Sequence, residues 1–79
     1  MRHFFHTDTL TRYSDEEGLE FATPAKAREE AIRLVGEIMR MSPSGFWGSR
    51  PWAVTVTDAA GLILWDISVE GTASAAAPD

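Results

Sequence analysis

Trp52-Ala53-Val54-Thr55-Val56-Thr57-Asp58-Ala59-Ala60-Gly61-Leu62-Ile63-Leu64-Trp65-Asp66-Ile67 is the stretch that decides the fold. Trp52, Val54 and Val56 alternate with Ala53, Thr55 and Thr57, and a period of two is the signature of a strand with one buried face. Asp58 to Gly61 supplies turn chemistry, and an apolar run follows it. An even-length connection pairs Thr57 with Leu62. It then sets Val56 opposite Ile63, Val54 opposite Trp65 and Trp52 opposite Ile67, all on one face. A single-residue slip would carry the apolar set of one strand to the wrong side, so the pattern specifies a hairpin. Its other face carries Leu62 and Leu64 beside Ala53, Thr55 and Thr57, less polar than a solvated face requires.

A half-buried hairpin needs a cover, and the segment before it provides one. Thr23 suits a helix N-cap, and Pro24 suits the first helical position, where its missing N–H costs nothing. Over residues 24–41 the apolar residues recur with a period near 3.6. Ala27, Ala31, Leu34, Val35, Ile38 and Met41 form one stripe, with Lys26, Glu29, Glu30, Arg33, Glu37 and Arg40 opposite. The small Ala27 and Ala31 let the first turns approach a sheet closely. Glu29 and Arg33 are spaced as an i,i+4 pair. Pro43 and Gly45 end the helix, and residues 42–51 form a loop interrupted by Phe46 and Trp47.

Ahead of the helix, residues 2–7 read as a strand with Phe4 and His6 on one face and His3, Phe5 and Thr7 on the other. Either Phe suits the core. Residues 10–13 suit a second strand returning beside the first. Asp15-Glu16-Glu17-Gly18 carries the Asp and Gly of a type I turn, and Leu19 and Phe21 share one face of the piece leading into the helix. Residues 71–79 are small, Ala-rich and without periodicity, so a disordered tail is expected there, with one domain over residues 1–70. The expected architecture is α+β: a single amphipathic helix packed on a three- or four-stranded antiparallel sheet, in ββαββ-like order.

Composition narrows the function classes. The 79 residues suffice for one small core, and 44% of them are hydrophobic. Without cysteine, disulfides and thiolate metal sites are excluded. The net charge of -5, with the basic residues interleaved among acids, gives no patch for nucleic acid. No segment approaches the ~20 apolar residues of a membrane span, and residues 1–6 lack the apolar run of a secretory signal. A cytoplasmic location is the expectation.

Each candidate chemistry has a plainer competitor. His6 and Asp8 share a strand face and Asp15 can lie near, so a His–carboxylate pair able to orient a general base is conceivable. No nucleophile, glycine elbow or oxyanion site accompanies it, and a hydrogen-bonded structural histidine is the ordinary reading. His3 and His6 point to opposite faces of a strand and make no metal pair. A free amine with His in third place suits square-planar Cu(II), but a bare terminus places no demand on a fold. Asp15, Glu16, Glu17 and Glu20 lack the ligand spacing of a calcium loop. There is no P-loop, dinucleotide fingerprint or zinc-ligand spacing, so neither cofactor nor metal is expected. Phe46, Trp47 and Trp52 are either core or contact surface. Trp52 and Trp65 fit the helix-facing side of the hairpin, and Trp47, between two glycines, folds over the helix end or meets a partner.

Phe4-Phe5-His6, Asp15-x-Glu17-Gly18-x-Glu20, Ala27-x-x-Glu30-Ala31 and Val54-x-Val56-x-Asp58-x-x-Gly61 follow one another in fixed order. In this the chain resembles a bacterial family of short domains of unknown function, over residues 2 to about 68. It departs from that pattern at His3, where an aromatic is commoner, and in the loop of residues 45–48. The resemblance implies no activity and transfers no catalytic residue. An acidic-glycine turn before Glu29-Glu30-Ala31 is also similar to small antitoxin-type proteins, in the first half only and without a DNA-binding segment.

The expected function is a non-enzymatic interaction module that binds itself as a homodimer or binds another protein, through Leu62, Leu64, Trp47 and Phe46. The alternatives are a small enzyme using His6 with an acid, Asp8 or Asp15, and an antitoxin-like regulator. Neither nucleic acid nor membrane is expected as a partner.

Overall fold

In the computed structural model, residues 1–48 and 50–78 are described. Ser49, within the expected 42–51 loop, and Asp79, the end of the expected tail, lie outside the described residues. The chain runs through β1 (Arg2–Asp8), β2 (Arg12–Tyr13), β3 (Leu19–Glu20), α1 (Pro24–Met41), a short 3-10 turn (Phe46–Gly48), β4 (Trp52–Thr57) and β5 (Ile63–Val69). One helix therefore packs on an antiparallel sheet, the α+β class expected, but the sheet has five strands rather than three or four. The extra one is β3, two residues long, where an extended lead-in to the helix was expected.

The sheet order is β2-β1-β4-β5, with β3 also on β1. β2 and β3 share one edge of β1, β2 on Thr7 and Asp8 and β3 on Arg2 and His3. Asp15 bridges the gap between them, its Oδ2 accepting the Phe5 N–H at 3.1 Å. A side chain thus completes a sheet edge where two short strands leave it open, as buried backbone donors require.

The hairpin alternates as expected, but its register differs. Val56 faces Trp65, Val54 faces Ile67 and Trp52 faces Val69, two residues further along β5 than an even turn would give. The cause lies in the connection. Asp58 Oδ1 accepts the N–H groups of Ala60 and Leu62, and the Asp58 N–H donates to Leu62 O at 3.0 Å. Three residues, closing on Gly61 with φ 87°, turn the chain. An irregularity between Val56 and Thr57 then brings Ile63 opposite Thr57. A shift of two preserves the face, so Trp65 and Ile67 still look toward α1. Ile63, expected opposite Val56 on the helix side, is instead 68% exposed.

β1 contributes Phe5 and His3 to the core, which settles which phenylalanine faces inward. Phe5, Val54 and Val56 meet Ala27, Ala31 and Val35 of α1, with Leu34, Trp65 and Ile67 at the margin. Thr23 caps the helix, its Oγ1 accepting the Lys26 N–H at 3.3 Å. Met41, expected in the apolar stripe, is 70% exposed. An 18-residue helix runs ~27 Å and the six residues of β4 only ~20 Å, so the last turn overruns the sheet. The helical ion pairs are Glu30–Arg33, Glu37–Arg40 and Lys26–Glu29, at i,i+3 rather than the expected Glu29–Arg33.

Candidate functional site

His6, Asp8 and Asp15, the expected polar cluster, all lie around β1, but the carboxylates do not reach the imidazole. His6 Nδ1 faces the Asp15 N–H at 3.1 Å and therefore accepts from it. The ring proton is left to Nε2, which donates to Thr57 Oγ1 at 3.0 Å. Ser14 Oγ stands 3.4 Å from Nδ1. Both ring nitrogens are thus spent on tying β1 to β4 and to the 14–18 turn. A base needs a free nitrogen in reach of a substrate proton, and His6 offers none in this geometry.

Asp15 is spent in the same way. Oδ2 takes the Phe5 N–H, and Oδ1 takes the Glu17 and Gly18 N–H groups, each at 3.1 Å. Partial burial pushes its carboxyl up, but the N–H groups of Phe5, Gly18 and Glu17 together outweigh that. Its pKa lies below the ordinary value. Asp8 receives Arg50 at 2.7 Å and Arg12 at 3.3 Å. The Arg50 hydrogen bond, with Arg12 beside it, holds the Asp8 carboxyl below its ordinary value. Glu20 is lowered likewise by the N-terminal ammonium at 2.8 Å. Among the described residues, no group of three or more His, Asp or Glu side chains is arranged to hold a metal ion.

His3 is fully buried. Its ring stacks on Trp65, with centroids 5.9 Å apart and planes 14° apart, and meets the Phe21 ring edge-on. Nδ1 lies 3.2 Å from Met1 O, and Nε2 has no partner among the described residues. An aromatic suits this place, and the histidine fills it as a ring.

The expected contact residues are divided. Phe46 packs edge-on against Trp52, with centroids 5.4 Å apart, and is half-buried, as is Leu64. Trp47 and Leu62 are each 65% exposed. A further apolar surface, outside that set, lies between α1 and β5. α1 and β5 flank a groove of about 450 Å³ whose apolar walls are Ala25, Ala31, Ile32, Trp65 and Ile67. Arg28 lies over the Trp65 ring, its guanidinium carbon 5.8 Å from the centroid. Ile32 is 60% exposed, and Leu62 and Ile63 are exposed too but outside this groove, Ile63 pairing with Thr57 on the face opposite the core residue Val56. Among the described residues no strand pairs with the outer edge of β5. The available signal was Ile32, an apolar residue outside the main stripe of α1.

The family model described as Domain of unknown function (DUF6894) matches residues 2–70. The chain belongs to this family. The DUF6894 match begins with β1 and ends one residue after β5, so it takes in every strand, the helix, the His6 network and the β5 edge. It agrees with the resemblance to domains of unknown function and brings no activity with it. No curated protein and no solved structure matches the chain. Among the described residues no helix is long and apolar enough to cross a membrane.

Proposed function

We propose that this domain is a non-enzymatic protein-interaction module whose contact surface is the outer edge of β5 with the flank of α1. One observation carries the reading. Among the described residues the seven-residue β5 has an unpaired outer edge, and exposed Ile32 with half-buried Trp65 and Ile67 flanks it in the groove beside α1. An unpaired edge offers a row of backbone donors and acceptors, and protein recognition by strand addition uses such a row. Apolar side chains beside it add area that favours a partner over water. Trp47 stands apart, exposed at the 3-10 turn, and is a secondary contact in this reading.

The His6 arrangement supports the same view, because the imidazole and both carboxylates are consumed by backbone and arginine partners. The test is native mass spectrometry of the untagged protein isolated gently from its host, alongside the Ile32→Glu variant. A defined complex in the wild type that disappears in Ile32→Glu, with helical circular dichroism unchanged, is the expected result. A bare monomer from both, or a complex indifferent to Ile32, would overturn it.

A further inference from the structure

The contact surface proposed above leaves the partner open, and the sequence of β5 narrows it. We infer that the occupant of the β5 edge is a second copy of this chain, paired antiparallel about a twofold axis through Ile67, so that two sheets join into one. The inference rests on the reading of β5 as the contact edge.

The register follows from the chemistry of the strand. Residues on one face of a strand pair with residues on the same face across an antiparallel ladder. With Ile67 opposite Ile67 of the second copy, Trp65 meets Val69 and Val69 meets Trp65. The helix-facing side is then apolar throughout, continuous with the groove that holds Ile32. On the other face Asp66 meets Ser68 and Ser68 meets Asp66. A carboxylate opposite a hydroxyl donor is favourable, and Ser68 Oγ already donates to Asp66 within the chain at 3.3 Å. Moving the axis one residue back, to Asp66, would set two carboxylates directly opposite each other, which destabilises a pair. The strand is therefore self-complementary in one register and self-repelling in the next.

Size sets the strength. The inferred register pairs five residues, Trp65 to Val69, so at ~3.3 Å each the shared edge is ~17 Å long, and one sheet layer plus one helix layer make it ~20 Å deep. The buried area is on the order of 350 Å² per copy, below the ~800 Å² of a standard stable interface. The dimer is accordingly weak, with a Kd in the micromolar range rather than the nanomolar.

The chain has no cysteine, so cross-linking reads the register directly. Asp66→Cys and Ser68→Cys are prepared in the full chain, both at exposed positions, and their folding is checked by circular dichroism. Each is oxidised mildly, alone and as an equal mixture, at about 100 μM, well above a micromolar Kd. In the inferred register the thiol of the Asp66→Cys copy faces that of the Ser68→Cys copy, within the ~4.4–6.8 Å Cα separation of a disulfide, whereas like positions are ~8 Å apart. The mixed sample is expected to give at least ~10-fold more disulfide dimer than either variant alone.

Stronger cross-linking of Asp66→Cys alone or Ser68→Cys alone would overturn the register. No cross-linking in any sample, with wild type a monomer by sedimentation at the same concentration, would overturn the second copy as occupant. The contact surface itself would then stand or fall on the Ile32→Glu comparison in the host isolate. A wild-type dimer without cross-linking, insensitive to Ile32→Glu, would overturn both.

Discussion

Replacing Asp15 by alanine removes the acceptor of three backbone N–H groups and reopens the edge of β1 between β2 and β3. The Phe5 N–H is the costly one. It is half-buried in the sheet, and a hydrogen bond to a charged group contributes ~1.5–3 kcal/mol. The Glu17 N–H is exposed and the Gly18 N–H half-buried, both in a surface turn outside the sheet, and they add about 0.5 kcal/mol each. The total is ~2.5–4 kcal/mol, a large share of the ~4–12 kcal/mol that a chain of this length commonly has. With a urea m-value of ~1 kcal/mol/M for a small domain, the unfolding midpoint of Asp15→Ala falls by ~2.5–4 M. Hydrogen exchange should find the Phe5 amide losing its protection while the β4 amides paired with β5 keep theirs. A midpoint shift under ~0.5 M with Phe5 still protected would refute the assignment of Asp15 as the edge-closing group.

Acid should act on the same group. The Asp15 carboxyl titrates below its ordinary 3.8, so its contribution is fully present above that pH and is lost as pH falls through the folded-state value. A urea midpoint that declines below about pH 4 in wild type, and less steeply in Asp15→Asn, is the expected pattern. Gly18 has φ 70°, and an added Cβ would lie 2.8 Å from His3 O, so Gly18→Ala should cost ~2–3 kcal/mol in chemical denaturation. Gly36, inside α1 with open space around it, should gain ~0.5–1 kcal/mol as Gly36→Ala. His3→Phe, which removes the unpartnered Nε2 and keeps the ring stack on Trp65, should raise the thermal midpoint, with ~1 kcal/mol gained.

The parts of the fold legible in the sequence were those with strong periodicity. The 3.6 spacing of Ala27, Ala31 and Val35 and the alternation of Trp52, Val54 and Val56 each have one solution, because a wrong period would expose the core. The β5 register was not legible. It depends on the Asp58 side chain gathering two N–H groups, which shortens the turn to three residues, and face alternation is blind to a shift of two. β3 is two residues long and held by position rather than propensity. The burial of His3 was not legible either, because which face of β1 turns inward is decided only when Trp65 from β5 and Phe21 from the segment before α1 come together around the ring. The candidate surface was visible only in part. Leu62 was singled out by its face but lies outside the groove, and Ile32 gained its meaning once α1 was seen to lie beside an open strand edge.

Sedimentation equilibrium of the full chain, from about 1 μM to about 500 μM, tests most directly whether the β5 edge is an interaction surface that a second copy occupies. The expected result is a mass rising from 8.7 kDa toward twice that value, reversed by dilution, and held at 8.7 kDa across the range by Ile32→Glu. A wild type that stays at 8.7 kDa throughout would contradict the dimer. A dimer that Ile32→Glu leaves intact would contradict its placement on the β5 edge.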